Sequence, residues 1–532
     1  MTSLTPVAPP AWRSRLDSPL VWLLGCGILS AAIWWRFFTV PFPLGQFYAQ
    51  GHVDYAWITQ YRPDGTLTFM ASFGALLALA WLAQQKLVGV TSFEALAGVL
   101  GGHVAFSEIL RGMYPAAAVD IYDYYLYGRI TLIHGGNPFI QPPRDFPQDP
   151  YLYLSPWQAE PSVYGPVWQL MSLLPTALAG DDLLLALSAF KVTVILGSMA
   201  TALLIYLTLR HIAPERALAG TLFFAWNPLV LFETAGNGHN DSILTAFMML
   251  GIFCLIVGPR WGALPGLTAA VLTKVPAVLL GPLMLAGVLR SDALSRSVRA
   301  LTVGLVASLL LVVVSYAPFW VGLPTLSFLG RGHWFTASPA TLLRELLRMQ
   351  GFEFETANQF ASVTSAVLFG LIYLVCLVLY LRSRPPHPNP LPRGEGVSAL
   401  PTHDSSRITH DWEPWLRAAY RVTMAYLVVA ALWWHAWYLL MLICFAALLG
   451  DRNLEVRCNL FCFGGLLSYV VFKYVWWYWE PTGDYFRIMA VSVLAIFSLP
   501  ALHWVLSCLP SKPHSEDAQP LRLTRASSPS QY

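Results

Sequence analysis

The sequence predicts an all-α protein that crosses a membrane many times, on the basis of composition, apolar runs and aromatic content. Of its 532 residues, 56% are hydrophobic and 11% are charged, and the mean hydropathy is +0.54. This composition excludes a soluble globular domain. The 21 tryptophans and 23 tyrosines fit aromatic belts at membrane interfaces. A net charge of only +3 gives no indication of nucleic-acid binding.

Apolar runs long enough to cross about 30 Å of hydrocarbon recur along the chain. About fourteen of them are predicted to span the membrane, give or take two, because the runs beside Lys274 and Trp437 are short. The predicted spans are Leu20–Phe38, Leu67–Leu82, Val88–Leu110, Leu183–Leu209, Ala217–Phe232, Ile243–Val257, Gly262–Thr273, Val275–Leu289, Leu301–Trp320, Ala361–Tyr380, Tyr420–Trp434, Trp437–Leu449, Leu460–Trp476 and Phe486–Leu506.

The distribution of positive charge predicts how these spans are oriented. Most of the 32 lysines and arginines fall on the same side as the N-terminus, which places both termini in the cytoplasm. The chemically unusual polar stretches then lie on the outer side, together with several cations that break the charge rule. The apolar run Val163–Ala179 is predicted to be an interfacial helix, because counting it as a span would invert every later loop.

This topology divides the chain into five parts, of which the Pro-rich loop and the polar tail are predicted to be disordered. The parts are a cytoplasmic N-terminus (1–19), a transmembrane catalytic module (20–382) that includes the outer loop 111–182, a cytoplasmic Pro-rich loop (383–413), C-terminal transmembrane helices (414–508) and a cytoplasmic tail (509–532).

The outer loop contains a polar, tyrosine-rich stretch, Val119–Phe139. If Tyr122–Ile133 is helical, Asp120 and Asp123 are three residues apart and share one face. A carboxylate held beside apolar surface can have a tuned pKa and act as a general base towards a hydroxyl. A single aspartate here is more simply a helix cap. The pair, set among four tyrosines, favours catalysis, with Asp120 first and Asp123 second.

Two further stretches carry polar groups where a membrane protein makes them costly unless they are used or paired. His239 and Asp241, shortly after Glu233, are suited to orienting an acceptor hydroxyl or binding a cation, although Asp241 as a helix cap is the plain alternative. Lys274, between two short runs, is suited to a phosphate. Its alternative is a lysine that extends to the membrane surface.

The C-terminal third has aromatic and cationic stretches at 433–440 and 473–487. His435 and Arg487 are predicted to lie at the outer surface, and Arg487 is able to pair with a phosphate in bidentate fashion. Ordinary interfacial side chains are the competing interpretation for each of them.

A series of short motifs resembles the GT-C membrane glycosyltransferases, in particular the bacterial polyprenyl-phosphate-mannose-dependent α-mannosyltransferases. The resemblance covers most of Val88–Leu449, and no single motif is specific. The motifs are Asp120-x-Tyr122-x-Tyr124, Gly135–Phe139, Tyr164-Gly165-Pro166, Asn227-Pro228-Leu229, Gly238–Asp241, Lys274-Val275-Pro276 and Trp437-Tyr438.

The resemblance implies a GT-C-like architecture and an inverting transferase that takes a hexose from a lipid-phosphate donor on the extracytoplasmic side of the bacterial inner membrane. The family's acidic residue in its first large outer loop corresponds to Asp120. Two extra apparent spans and the presence of Asp123 depart from the usual pattern, so the choice of base and of mannose over another hexose stays open. The predicted substrate-binding residues are Tyr124, Arg129, Asn137, Tyr164, Glu233, His239, Asp241, Lys274, His435, Tyr438 and Arg487.

The expected partners are a polyprenyl-phosphate sugar, an acceptor glycan or lipid, and the bilayer. No cofactor is predicted, although Asp120, Asp123 and Asp241 leave a divalent cation open. A transporter or flippase for a lipid-linked or anionic substrate is the alternative function, since many spans and intramembrane charges suit it as well. A scaffold without chemistry leaves the gathered polar residues unexplained.

Overall fold

A computed structural model describes residues 18–51, 54, 56, 62–331, 335–384, 405–476 and 483–509. In these residues the regular structure is helical, with one isolated β-bridge between Pro43 and Met113, which confirms the predicted all-α class. The loop predicted to be disordered (383–413) lies mostly outside the described residues, as do the N-terminal segment 1–19 and the tail 509–532.

The α-helices of nine or more residues are numbered in chain order. They are α1 (Pro19–Trp34), α2 (Pro63–Leu87), α3 (Phe93–Arg111), α4 (Asp120–Leu132), α5 (Pro166–Ala179), α6 (Leu183–Ile212), α7 (Ala217–Ala225), α8 (Asp241–Ile256), α9 (Ala263–Thr273), α10 (Gly281–Arg290), α11 (Leu294–Tyr316), α12 (Pro339–Met349), α13 (Phe354–Arg382), α14 (Ser405–Ala425), α15 (Leu439–Leu449), α16 (Arg452–Val470) and α17 (Tyr485–Cys508).

Eight helices among the described residues are long and apolar enough to cross a membrane, which establishes a polytopic transmembrane protein. A ninth crossing is formed if Pro214–Ala225 and Pro228–Gly236, bent by 47°, are one span. All of the predicted spans overlap helical segments, but four of them correspond to shorter helices, and Tyr420–Trp434 overlaps only the end of α14 and the π-helix Tyr426–Ala430. The eight long helices are Pro19–Thr39, Asp64–Leu87, Phe93–Arg111, Leu183–Ile212, Leu294–Tyr316, Phe354–Arg382, Arg452–Tyr474 and Tyr485–Cys508.

The outer-loop helices α4 and α5 pack against each other and against α6. In α5, Trp168 is fully buried, whereas Leu174 and Leu178 are 66% and 65% exposed, so the helix has one packed face and one apolar free face. Gly165 allows the chain just before α5 to lie against the end of α9, because a Cβ there would be 2.1 Å from the carbonyl oxygen of Leu272. This contact brings Tyr164 beside the end of α9.

Two helix breaks position the other polar residues. After α7, the Asn227 side chain accepts a hydrogen bond from the Leu229 N–H at 3.0 Å and starts a new helical turn that continues as the π-helix Phe232–Gly236. After α9, Lys274 is extended, with φ −157° and ψ 129°, before the 3-10 turn Val275–Leu280. Pro276 in that turn has no N–H to donate to the carbonyl of Leu272, and its ring would collide with that carbonyl if the helix continued, which explains why α9 stops.

Candidate active site

A cavity of about 410 Å³ lies where four stretches distant in the sequence meet. Its walls come from the start of α4, the segment 157–164, the break after α9, and the segment 426–438. This volume is within the range of small-molecule sites. The predicted site residues that line it are Asp120, Asp123, Tyr164, Lys274, His435 and Tyr438.

Asp120 is the first residue of α4, and its side chain is 21% exposed. The Tyr164 hydroxyl donates a hydrogen bond to Asp120 Oδ2 at 2.9 Å. The carboxylate is therefore held in one orientation while it stays accessible from the cavity. That combination is what a general base towards a bound hydroxyl needs.

Asp123 lies one helical turn further on but in a different environment. The residue is only 2% exposed, the Ser155 hydroxyl donates to its Oδ1, and its Oδ2 has no hydrogen-bond partner. Burial raises the pKa of the Asp123 carboxyl well above its ordinary value; the Ser155 bond opposes this shift and the charge of Asp120 adds to it. Asp123 thus favours its neutral form, which is unsuited to taking a proton.

The raised pKa of Asp123 predicts how the variant Asp123→Asn behaves. The folded protein binds this proton more tightly than the unfolded chain, so wild-type stability falls as the pH rises above about 3.9. The amide cannot ionise, and the variant should therefore lose less stability between pH 5 and pH 8. Thermal unfolding midpoints in detergent at the two pH values measure this difference. An equal pH dependence in both proteins would contradict the assignment.

Lys274 is the cation of the cavity wall. Its Nζ donates to Asp241 Oδ2 at 2.7 Å, and its side chain is 12% exposed. Three aromatic rings surround the ammonium group, with centroids at 5.2 to 5.9 Å, those of Tyr438, Trp437 and Tyr164. The cation is partly desolvated, and its interaction with a phosphate is correspondingly less screened.

The aromatic stretch around residue 435 forms a stack on this side of the cavity. The ring of His435 lies 4.1 Å from that of Trp437 at an angle of 6°, and Trp437 in turn lies 3.9 Å from His239. Burial, and then the charges of Lys274 and His239, hold the pKa of His435 well below its ordinary value. His435 is thus favoured as a neutral hydrogen-bonding group.

Glu233 and His239 lie behind the cavity wall, and neither is among the residues that line it. Both are 0% exposed, and His239 Nδ1 is 2.9 Å from Glu233 Oε2. Asp241, which also does not line the cavity, reaches it through its ion pair with Lys274. The predicted stretch 233–241 therefore lies directly behind the cavity wall, and Asp241 contacts Lys274, which lines the cavity.

Four other predicted residues do not line the cavity. Tyr124 is buried against Tyr164. Arg129 pairs with Asp149. The Asn137 amide donates to the carbonyl of Phe319 at 2.6 Å. Arg487 pairs with Asp484 at 3.2 Å. Direct substrate contacts by these four residues remain predictions.

Several residues that line the cavity were not predicted from the sequence. Trp157 and Trp433 lie with ring centroids 5.5 Å apart, and Tyr127 and Glu160 complete that wall. The sequence contains a partial signal for Tyr127, which belongs to the tyrosine-rich stretch. Nothing in the sequence separates the two tryptophans from those of ordinary interfacial belts.

The carboxylates considered for a divalent cation have other partners. Asp123 accepts from Ser155, and Asp241 is paired with Lys274. Within the part of the chain that the structure describes, no group of three or more His, Cys, Asp or Glu side chains is arranged to hold a metal ion.

The amino-acid sequence is similar to those of known mannosyltransferases. Residues 43–290 match the model of the family described as alpha-(1->6)-mannopyranosyltransferase, N-terminal domain. Alpha-(1->6)-mannopyranosyltransferase B of Corynebacterium glutamicum is 25% identical over 194 residues, 33% of this chain and 31% of the relative. Alpha-(1->6)-mannopyranosyltransferase A of Mycobacterium tuberculosis is 26% identical over 269 residues, 49% of this chain and 50% of the relative.

A third relative, alpha-(1->6)-mannopyranosyltransferase A of Corynebacterium glutamicum, is 26% identical over 139 residues, 26% of this chain and 28% of the relative. The matches thus span between 28% and 50% of the length of these relatives. No solved structure matches the chain. Over residues 43–290 the chain is similar to the N-terminal domain of the alpha-(1->6)-mannopyranosyltransferases, and its predicted resemblance to the bacterial α-mannosyltransferases is confirmed.

Proposed function

We propose that this protein is an integral-membrane glycosyltransferase that moves a hexose from a polyprenyl-phosphate donor to an acceptor glycan or lipid. The observation that carries the proposal is a single cavity with the accessible carboxylate of Asp120 on one wall and the ammonium group of Lys274 on another. A base and a phosphate-binding cation facing one space are what such a transfer requires. The names of the relatives favour mannose as the hexose.

The proposed reaction is a single in-line displacement. Asp120 takes the proton of the acceptor hydroxyl while its oxygen forms a bond to the anomeric carbon. The bond between that carbon and the phosphate oxygen breaks, and its electron pair leaves with the polyprenyl phosphate. Phosphate needs no protonation to leave, and the positive charge of Lys274 stabilises the negative charge that develops on it. The aromatic walls provide flat surfaces for the sugar ring.

The charge distribution of the sequence supports an extracytoplasmic active site. With both termini in the cytoplasm, the cavity faces outward from the bacterial inner membrane. A lipid-linked donor suits that side, because its polyprenyl chain stays in the bilayer while its head group enters the cavity. Known relatives with transferase names do not favour the alternative of a transporter or flippase.

Purified protein in liposomes tests the proposal. Polyprenyl-phosphate [14C]mannose should label an added glycan or glycolipid acceptor, and GDP-[14C]mannose, the control donor, should not. Label that accumulates inside the liposomes on unchanged donor would instead support transport. If the mannose donor gives no labelled acceptor but polyprenyl-phosphate glucose does, the assignment of mannose is wrong and the proposed transfer reaction stands.

The variant Lys274→Gln should lower kcat/KM for the lipid-phosphate donor by about 10²-fold, because it removes the charge that stabilises the departing phosphate. Lys274→Arg should recover part of the loss. The assay is the initial rate of transfer over a range of donor concentrations.

Lys473→Gln is the matched control for this change. Lys473 is also a cation near aromatic residues, but it pairs with Asp54 at 3.3 Å and does not line the cavity. Its variant should transfer sugar at close to the wild-type rate. If both variants lost activity equally, the effect of Lys274→Gln would come from the loss of one positive charge in this region and not from a contact between Lys274 and the phosphate.

A further inference from the structure

Glu233 is the centre of a buried hydrogen-bond network on the π-helix Phe232–Gly236. Three donors point at its carboxylate: the Tyr469 hydroxyl at 2.8 Å, the Asn237 amide at 3.0 Å and His239 Nδ1 at 2.9 Å. π-helical segments often occur at functional sites. Since every contact of the carboxylate is with a donor, the ring hydrogen shared with Glu233 is assigned to His239 Nδ1.

The other ring nitrogen of His239 has an unusual environment. Nε2 is buried and has no hydrogen-bond partner, and Asp120 Oδ2 lies 3.9 Å away. With the hydrogen on Nδ1, Nε2 of the neutral imidazole is an acceptor, and it can hydrogen-bond to Asp120 once that carboxyl carries a proton. A movement of about 1 Å would bring the two atoms to hydrogen-bond distance. Buried polar atoms are seldom left unpaired without a purpose.

We propose that Glu233 and His239 form a positioning dyad behind Asp120, in which His239 Nε2 receives the proton that Asp120 takes from the acceptor hydroxyl. The inference rests on the proposed transfer reaction. The acceptor O–H bond breaks as the new bond to the anomeric carbon forms, and the proton goes to Asp120. It then passes to His239 Nε2, which gives an imidazolium between two carboxylates, and returns through Asp120 to water as the product leaves.

The surroundings of His239 favour this temporary cation. Glu233 and Asp120 carry negative charge on its two sides, and the face of Trp437 lies 3.9 Å from the imidazole ring. Of the more distant charges, Asp241 favours the cation and Lys274 opposes it, and these two are paired with each other at 2.7 Å. The dyad thus holds the proton and keeps Asp120 ionised until the product leaves and the proton passes to water.

The first test is the variant His239→Asn, whose amide can still donate to Glu233 but which lacks Nε2. We expect kcat to fall by at least about tenfold, with KM values for donor and acceptor within about twofold of the wild type. Glu233→Gln should act in the same direction, because it removes the charge that orients the ring. In the Asp120→Asn background, His239→Asn should cause no further loss, since it acts through Asp120.

His103→Asn is the matched control. His103 is also 0% exposed, and its ring bridges the Ala225 carbonyl and the Ser198 hydroxyl at 2.7 and 2.9 Å, away from the cavity lining. Its kcat per folded molecule should equal that of the wild type. Unchanged kcat in His239→Asn, a change confined to KM, or an additive loss with Asp120→Asn would each overturn the dyad.

A spectroscopic measurement separates the dyad from the proposed function. In protein labelled with 15N-histidine, the Nε2 signal of His239 is identified by its absence from His239→Asn. Replacing Asp120 by asparagine should shift this signal, because the facing charge is removed, and leave the signals of His103 in place. A wild-type enzyme without transferase activity would refute the proposed function, whereas an unshifted Nε2 signal would refute the dyad.

Discussion

The variant Asp120→Asn should transfer sugar about 10²- to 10⁴-fold more slowly than the wild type, which is the contribution of a general base. Asp123→Asn should remain close to the wild-type rate. The two carboxylates are three residues apart on one helix, but only Asp120 is accessible and oriented by Tyr164. Asp123 is buried and favours its neutral form. Initial rates from polyprenyl-phosphate mannose in membranes with equal amounts of folded protein measure both effects.

The outcome of this comparison is informative in either direction. If Asp123→Asn were inactive and Asp120→Asn active, Asp123 would be the general base. Near-normal rates in both variants would eliminate the proposed displacement. Gel filtration of each variant in detergent controls for folding, because a loss of activity through aggregation would appear as an altered elution profile.

Arg129→Met should destabilise the outer loop by up to about 3–5 kcal/mol, because the buried carboxylate of Asp149 loses its arginine partner and keeps only His134 Nε2 at 2.7 Å and the Tyr151 N–H at 3.0 Å. The guanidinium group pairs with Asp149 at 2.8 Å and Asp181 at 2.7 Å, and Arg129 and Asp149 are each 3% exposed. Hydrogen bonds to the Tyr125 hydroxyl and the Gly180 carbonyl, both at 3.2 Å, complete its environment. Thermal unfolding in detergent should show a clearly lower midpoint.

Two further variants make the interpretation specific. Arg62→Met breaks an ion pair whose members are 66% and 67% exposed, and should change stability by no more than about 1 kcal/mol. Arg129→Met combined with Asp149→Asn should recover part of the loss, because the buried carboxylate that has lost its arginine is replaced by a neutral amide. If Arg129→Met unfolds like the wild type and instead raises KM for the donor, the arginine binds substrate, as the sequence predicts.

The extent of the helical architecture was predictable because hydrophobic length and proline position are local properties. Helix α6, for example, starts at Leu183 where the predicted span starts, and its cap Asp182 accepts a hydrogen bond from the Leu185 N–H at 2.9 Å. The break at Lys274 was likewise visible from the short runs on either side. Shorter helices such as α9, with 11 residues, account for the difference between about fourteen predicted spans and the eight long helices.

The cavity was predictable only in part. Asp120, Lys274 and His435 were recognisable because a charged or polar group in an apolar chain is costly without a use or a partner. Trp157 and Trp433 were not, because their closeness depends on how segments nearly 280 residues apart pack, as the contact of 5.5 Å between their rings records. Aromatic residues are common throughout this sequence, so the presence of a tryptophan at a given position does not indicate whether it lines the cavity.

By itself, then, the sequence determined a polytopic helical membrane protein and several of the polar residues that line its cavity, since both follow from local hydrophobicity and from the cost of isolated polar groups. Only the tertiary structure gave the two aspartates different environments, one accessible and one buried, and gave Arg129 an ion-pair role. The physical reason is that burial and pairing are set by distant partners. Ser155 and the loop around Asp149 bury Asp123 and Arg129, whereas Asp120, at the end of the same helix, faces the cavity.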